Sequence, residues 1–222
     1  MIIEVCCPDI PSVKRAIEGG ADRIELCRDL ELDGLTPTRE DIREAVRLCH
    51  PAGVKVHVLI RSRAGNFIYS RREEVQTMAL EVTMALDEGA DGVVIGALTP
   101  QGNVDKMLCH MWINAVRSHP RVTSGELAEP GITFHRAFDV CHDPMRAVED
   151  IIALGCNRLL TSGQEASAYE GIPLLKSLVG ATAGRLIILA GAGVSAGNYR
   201  QIMAETGVNE VHGSFKGGIP RR

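Results

Sequence analysis

Val54-Lys55-Val56-His57-Val58-Leu59-Ile60-Arg61 is a β-branched run that reads as a strand buried on both faces. A segment of helical period follows, with apolar residues at Val75, Met78, Ala79, Val82, Ala85 and Leu86, a cap expected at Ser70, and Gly89 closing it. A second buried run then opens at Gly92-Val93-Val94-Ile95 and extends to Leu98. Strand, helix and strand in this order form a parallel unit with a helical crossover.

The same unit repeats along the chain. Further strand-like runs fall at Ile2–Cys7, Arg23–Cys27, Ile132–Phe138, Arg158–Thr161, Leu186–Leu189 and Glu210–Phe215. Helical patterns lie between them, from Ser12 to Glu18, after Thr38, from Met107 to Val116, after Asp143-Pro144, from Ala168 to Val179, and from about Ser195 to Gly207. Eight strands with seven helices predict an α/β fold, a parallel (β/α)8 TIM-type barrel over residues 1–222, incomplete at its C-terminal helix. The missing helix would leave apolar wall uncovered, so a homo-oligomer, a dimer or higher, is expected. The stretch from Arg121 to Pro130 reads as a polar, exposed insertion.

Composition agrees with a two-sided parallel sheet. Aromatic residues make up only 4% of the chain, so its 45% hydrophobic content must be aliphatic. The net charge of −4 and the absence of a basic stripe argue against a nucleic-acid partner, and Arg221 and Arg222 are too few to alter that. No apolar run is long enough to span a membrane, and the opening residues lack a signal-peptide layout. Seven scattered cysteines, an odd number, read as free thiols in a reducing, cytoplasmic compartment.

Several strands carry ionisable or thiol groups where valine would be ordinary. Glu4 and Cys6 share one strand face, as do Glu25 and Cys27, and His57 and Arg61. His135, Arg136 and Asp139 stand at the end of the fifth run, and His212 and Ser214 on the eighth. A buried charge must be paired or meet a ligand. One reading is a salt-bridge network, with Glu4 or Glu25 on Arg61 or Arg136. The other is a polar opening at the carboxyl ends of the strands, where such barrels place their chemistry. There Arg61 would hold an anion, with Glu25, His135 and Asp139 as acid–base candidates. His57, in mid-strand, reads as packed, and His50, His110, His119 and His142 as solvent-facing. The turns at Ser162-Gly163 and Gly191-Ala192-Gly193 are candidate backbone cradles for phosphate. Cys6 and Cys27, at corresponding ends of neighbouring strands, suit a soft metal such as Cu(I).

Glu4-Val5-Cys6, Gly20 to Cys27, Gly34-Leu35-Thr36-Pro37, Val58 to Arg61, Gly65 to Ser70, Gly89 to Val94 and Leu98-Thr99-Pro100 resemble the CutC family of copper homeostasis proteins. The most distinctive stretch is Thr133-Phe134-His135-Arg136-Ala137-Phe138-Asp139, followed by Leu160-Thr161-Ser162-Gly163. The resemblance runs from the first strand to about His212. It implies a (β/α) barrel, a cytoplasmic setting and Cu(I) held by Cys6 and Cys27. Gln164 and Ala192 stand where the family pattern has glycine, and the added methyl of Ala192 would narrow an anion cradle. The loop before the fifth strand is longer than usual, and most members continue further past the last strand. Two functions follow as expectations. One is Cu(I) binding in copper homeostasis. The other is an isomerase, lyase or hydrolase acting on a small anionic or phosphorylated metabolite.

Overall fold

A computed structural model describes residues 1–219, so Arg221 and Arg222 lie outside the described residues. Eight parallel strands close into a barrel in sequence order. They are β1 (Ile2–Cys7), β2 (Arg23–Leu26), β3 (Lys55–Leu59), β4 (Gly92–Ile95), β5 (Gly131–Phe134), β6 (Arg158–Thr161), β7 (Ile187–Ala190) and β8 (Glu210–Gly213). The helices are α1 (Ile10–Glu18), α2 (Arg39–Cys49), α3 (Arg72–Asp87), α4 (Lys106–Arg117), α5 (Pro120–Thr123), α6 (Pro144–Leu154), α7 (Ile172–Thr182) and α8 (Tyr199–Thr206).

Local chemistry sets these boundaries. Asp9 caps α1 by accepting from the Ser12 amide at 2.7 Å, and Thr38 and Asp143 cap α2 and α6 in the same way. Gly155 ends α6 with φ +79°, a conformation glycine adopts without strain. Helix α3 starts at Arg72 with no side-chain cap, so Ser70 does not serve as one. Helices α7 and α8 start about four residues later than their apolar pattern predicts, at Ile172 and Tyr199. Turns that border the barrel mouth occupy the difference.

Alternation along the strands builds two cores. Outward residues such as Ile3, Ile24, Val56, Val58, Val93, Ile95, Phe134 and Val211 join the helices in one large apolar cluster. Cys6, Cys27, Leu59 and Val94 form a separate small cluster inside the barrel. Among the described residues no helix follows β8. Phe215 is buried, and Ile219 packs onto the core, so close to Gly19 that a Cβ there would meet its side chain at 2.4 Å.

The segment from Arg121 to Pro130 is largely exposed, as expected, but it is anchored at both ends of its run. Arg121 donates to the carbonyls of Leu86 and Ala90 at 2.8 and 3.1 Å, closing the free end of α3. His119, expected at the surface, is buried. Its Nδ1 accepts from the Arg121 amide, and its Nε2 lies 3.1 Å from Asp87. Leu127 is buried as well. Unsatisfied carbonyls at a helix end attract such donors.

Candidate functional site

Strand register decides which inward side chains meet. Cys6 stands opposite Glu25, Glu25 opposite His57, and Glu4 opposite both Arg23 and His212. Cys27 continues the ladder by donating its amide to the Cys7 carbonyl. The two thiols therefore meet inside the barrel, with Cys6 Sγ 3.8 Å from Cys27 Sγ. Donor atoms of Cys6, Glu25 and His212 lie within 4.8 Å of one another, and all three residues are buried.

His212 links this cluster to a deeper one. Its Nδ1 lies 2.8 Å from Glu4 Oε1, and a ring nitrogen lies within 4.8 Å of the Cys6 thiol. Glu4 is fully buried and ion-paired with Arg23, which reaches Glu210 at 2.5 Å. Arg158 binds the same Glu210 twice, at 2.6 and 3.1 Å. Burial alone would raise the Glu4 carboxyl, yet Arg23 and His212 hold it well below the usual range. Burial likewise opposes charge on His212, but Cys6, Glu25 and Glu4 outweigh it and raise the imidazole well above its ordinary value. The buried network expected from sequence thus exists with other partners. Glu4 uses Arg23, because neighbouring-strand register brings those two together and leaves Arg61 and Arg136 at the mouth.

Above this cluster opens a cavity of ≈ 460 Å³, lined by Cys6, Glu25, Arg61, His135, Asp139 and His212 among others. Burial raises the Glu25 carboxyl and the His212 charge lowers it, leaving it pushed up to about 7. Its Oε2 has no protein partner. Arg61 is buried and donates to the carbonyls of Leu32, Gly34 and Gly65 at 2.7, 2.8 and 2.9 Å. Its guanidinium lies over the Phe67 ring, 5.2 Å from the centroid. Three loop carbonyls thus take the outer edge of the fork, and Arg61 Nε is left without a partner.

His135 does not extend β5. Its Nδ1 accepts from the Ala137 amide at 3.1 Å and starts a 3-10 turn over Arg136–Val140. The backbone therefore leaves the sheet one residue after Phe134. Gly96 makes room for the ring, since a Cβ there would sit 2.5 Å from His135 Nδ1. Burial and then the charge of Arg61 push His135 down to about 3, so the ring is neutral.

Asp139 bonds Thr161 Oγ1 and accepts from the Ser162 and Gln164 amides and from Arg136 Nε. The turn at Ser162-Gly163 therefore cradles an internal carboxylate. This gives Asp139 an anchoring place rather than a free acid–base one. The Gly191 amide donates to the Thr161 carbonyl, while Ala192 and Gly193, at φ +76° and +67°, line the cavity. Cys27 lies behind the cavity wall, reached through Cys6. Sequence reasoning singled out His212 as an ionisable strand residue but gave it no role, and it gave Phe67 none either. Glu210, His212 and Ser214 share one strand face, which was the available signal for the former.

The CutC family model matches residues 1–217. A CutC family protein of Pasteurella multocida is 44% identical over 217 residues, covering 98% of this chain and 83% of that one. The human copper homeostasis protein cutC homolog is 40% identical over 218 residues, covering 97% and 73%. The crystal structure of CutC from Streptococcus agalactiae superposes with a TM-score of 0.88 at 31% identity, covering 97% and 99%. Thiamine phosphate pyrophosphorylase of Pyrococcus furiosus, at 18% identity and a TM-score of 0.57, covers 95% of this chain and 84% of its own and shares the barrel fold alone.

Proposed function

The chain belongs to the CutC family, and from that premise we propose that it binds monovalent copper at Cys6 and Cys27 as part of copper homeostasis. The observation that carries this reading is the 3.8 Å approach of the two thiols inside the barrel. Paired thiolates are soft donors and select Cu(I) over the harder divalent ions. His212 offers a third donor beside Cys6, and Glu25 a fourth. Glu4, bonded to the far side of the His212 ring, orients it as outer partners orient ligating histidines. Burial of the pair keeps water and competing oxygen ligands away. Ligation needs thiolate, so loading releases protons.

Entry runs through the mouth cavity, where Cys6 is exposed to the lining and Cys27 stands behind it. All seven cysteines are free, which supports a reducing, cytoplasmic setting. Among the described residues no helix is long and apolar enough to cross a membrane.

Anaerobic competition against a chromogenic Cu(I) chelator tests the proposal. The expected result is one ion per chain, with affinity weakened more than about 100-fold in Cys27→Ser and about 10- to 100-fold in His212→Asn. Binding that is equal in wild type and Cys27→Ser overturns it.

A further inference from the structure

Copper accounts for the thiol cluster but leaves the opposite wall of the mouth unused. There, two buried residues that line the cavity each keep an N–H donor with nothing to bond. Arg61 is 3% exposed and His135 4%, and both line the cavity. Arg61 Nε has no protein partner, and neither does His135 Nε2. Buried polar atoms are overwhelmingly satisfied, so two orphans in one cavity mark a place built for something else.

Both orphans are donors. The Arg61 guanidinium always carries hydrogen on Nε. For His135 the assignment follows from geometry. The Ala137 amide can only donate, so Nδ1 is the unprotonated nitrogen and the proton of the neutral ring sits on Nε2. The two residues flank one ring. Phe67 has its centroid 5.2 Å from the Arg61 guanidinium and 5.0 Å from the His135 ring centre. Among the described residues Arg61 forms no ion pair. Its positive charge is therefore balanced only by carbonyl dipoles. Of the other charged groups on this side, Arg136 and Asp139 are bonded to each other, and the exposed Asp33 also lines the cavity.

We propose that the barrel mouth binds a small molecule through an oxyanion, a carboxylate or a phosphate monoester, seated on Arg61 Nε–H and His135 Nε2–H. The cavity volume of ≈ 460 Å³ suits a compact metabolite. Leu59, Phe67 and Leu160 supply apolar wall for a short carbon skeleton. Glu25 faces the same space from across the barrel. Arg61 supplies a permanent charge, and neutral His135 supplies a directed hydrogen bond that does not compete for the proton.

Titration calorimetry on metal-free full-length protein provides the test, with oxalate, glycolate and inorganic phosphate as separate probes at one pH. Saturable binding of at least one probe is expected. Preference for oxalate or glycolate identifies a carboxylate ligand, and preference for phosphate identifies a phosphate ester. His135→Phe, which keeps the ring volume and removes the donor, should weaken binding about tenfold or more. Cys27→Ser, behind the cavity wall, should leave it unchanged, which separates this site from the copper reading. A readout on the native chain guards against misfolding of the variant: the His135 Nε2 resonance in long-range 1H–15N spectra should move on adding the probe. No saturation by any probe up to tens of millimolar together with a stationary resonance overturns the proposal. So does binding that survives His135→Phe at full strength.

Discussion

At the amino-terminal end of the barrel interior, Glu4, Arg23, Arg158 and Glu210 use up one another's hydrogen-bonding capacity. At the mouth, Glu25, Arg61 and His135 each keep a buried atom with no partner. Residue type does not separate the two ends, since each holds carboxylates and guanidinium groups well out of water. Satisfaction separates the two charged sets, although the neutral His57 ring beside the lower one also keeps an unpartnered Nδ1. The lower network carries two acids and two arginines whose charges cancel, and it braces four strands. The upper set leaves two donors and an acceptor unpartnered on side chains that line the cavity. Buried ionisable groups become evidence for a ligand only once their partners have been accounted for.

The largest way to break this contrast is Glu210→Gln. Arg23 and Arg158 would then face each other without the acid they share, at a cost of about 3 to 5 kcal/mol. Urea unfolding measures it, and a loss below about 1 kcal/mol would mean the lower network is not the brace described here.

An acid-side test is next in size. His135 is held neutral in the folded chain down to about 3, whereas the unfolded chain takes up a proton near 6.5. Its contribution to stability is therefore fully present above about 6.5 and is lost as pH falls from there toward 3. Between pH 7.5 and 5 the stability difference between wild type and His135→Phe should shift by about 2 kcal/mol against wild type. His57, pushed down to about 3 chiefly by burial, titrates in the same direction in both proteins and cancels from the comparison. Parallel pH curves would show that His135 already titrates normally.

The smallest effect sharpens the mouth alone. Gly96→Ala places a methyl against His135 Nδ1. It should cost about 1 kcal/mol of stability, at the low end for overpacking, because the ring can shift. The same shift moves the Nε2 donor, so anion binding should fall more steeply than stability does. Equal loss of both would mean the ring orientation is unimportant.

Much of this was legible in residue order. Runs buried on both faces, closed by turns and followed by helical spacing, specify strands and crossovers locally, and β1 and β6 fall where the pattern puts them. The pairing of Cys6 with Cys27 also follows from adjacency, because consecutive parallel strands are neighbours. What escaped depends on distant registers. His212 meets Glu4 across 208 residues of chain, and Arg158 meets Glu210 across 52. No local pattern encodes those meetings. Asp139 escaped differently. Its carboxylate looked free in sequence, but the amides of the β6–α7 turn claim it. His119 looked like a loop residue, yet the unsatisfied end of α3 draws its neighbour Arg121 inward and the ring with it.

The Glu4–His212 contact also has a consequence for the newborn protein. It joins the first strand to the last, so the barrel cannot seal while β8 is still being synthesised. Chains emerge at roughly 5 to 20 residues per second, and earlier units can pair and pack as they appear. Cys6, Glu25 and Cys27 are translated within the first 27 residues, but His212 arrives only with β8. Until then the thiols stand at an open seam, with the His212 ring not yet made. A long-range closure of this kind slows folding. It also means that the cluster of Cys6, Glu25 and His212 assembles only after β8 has been made.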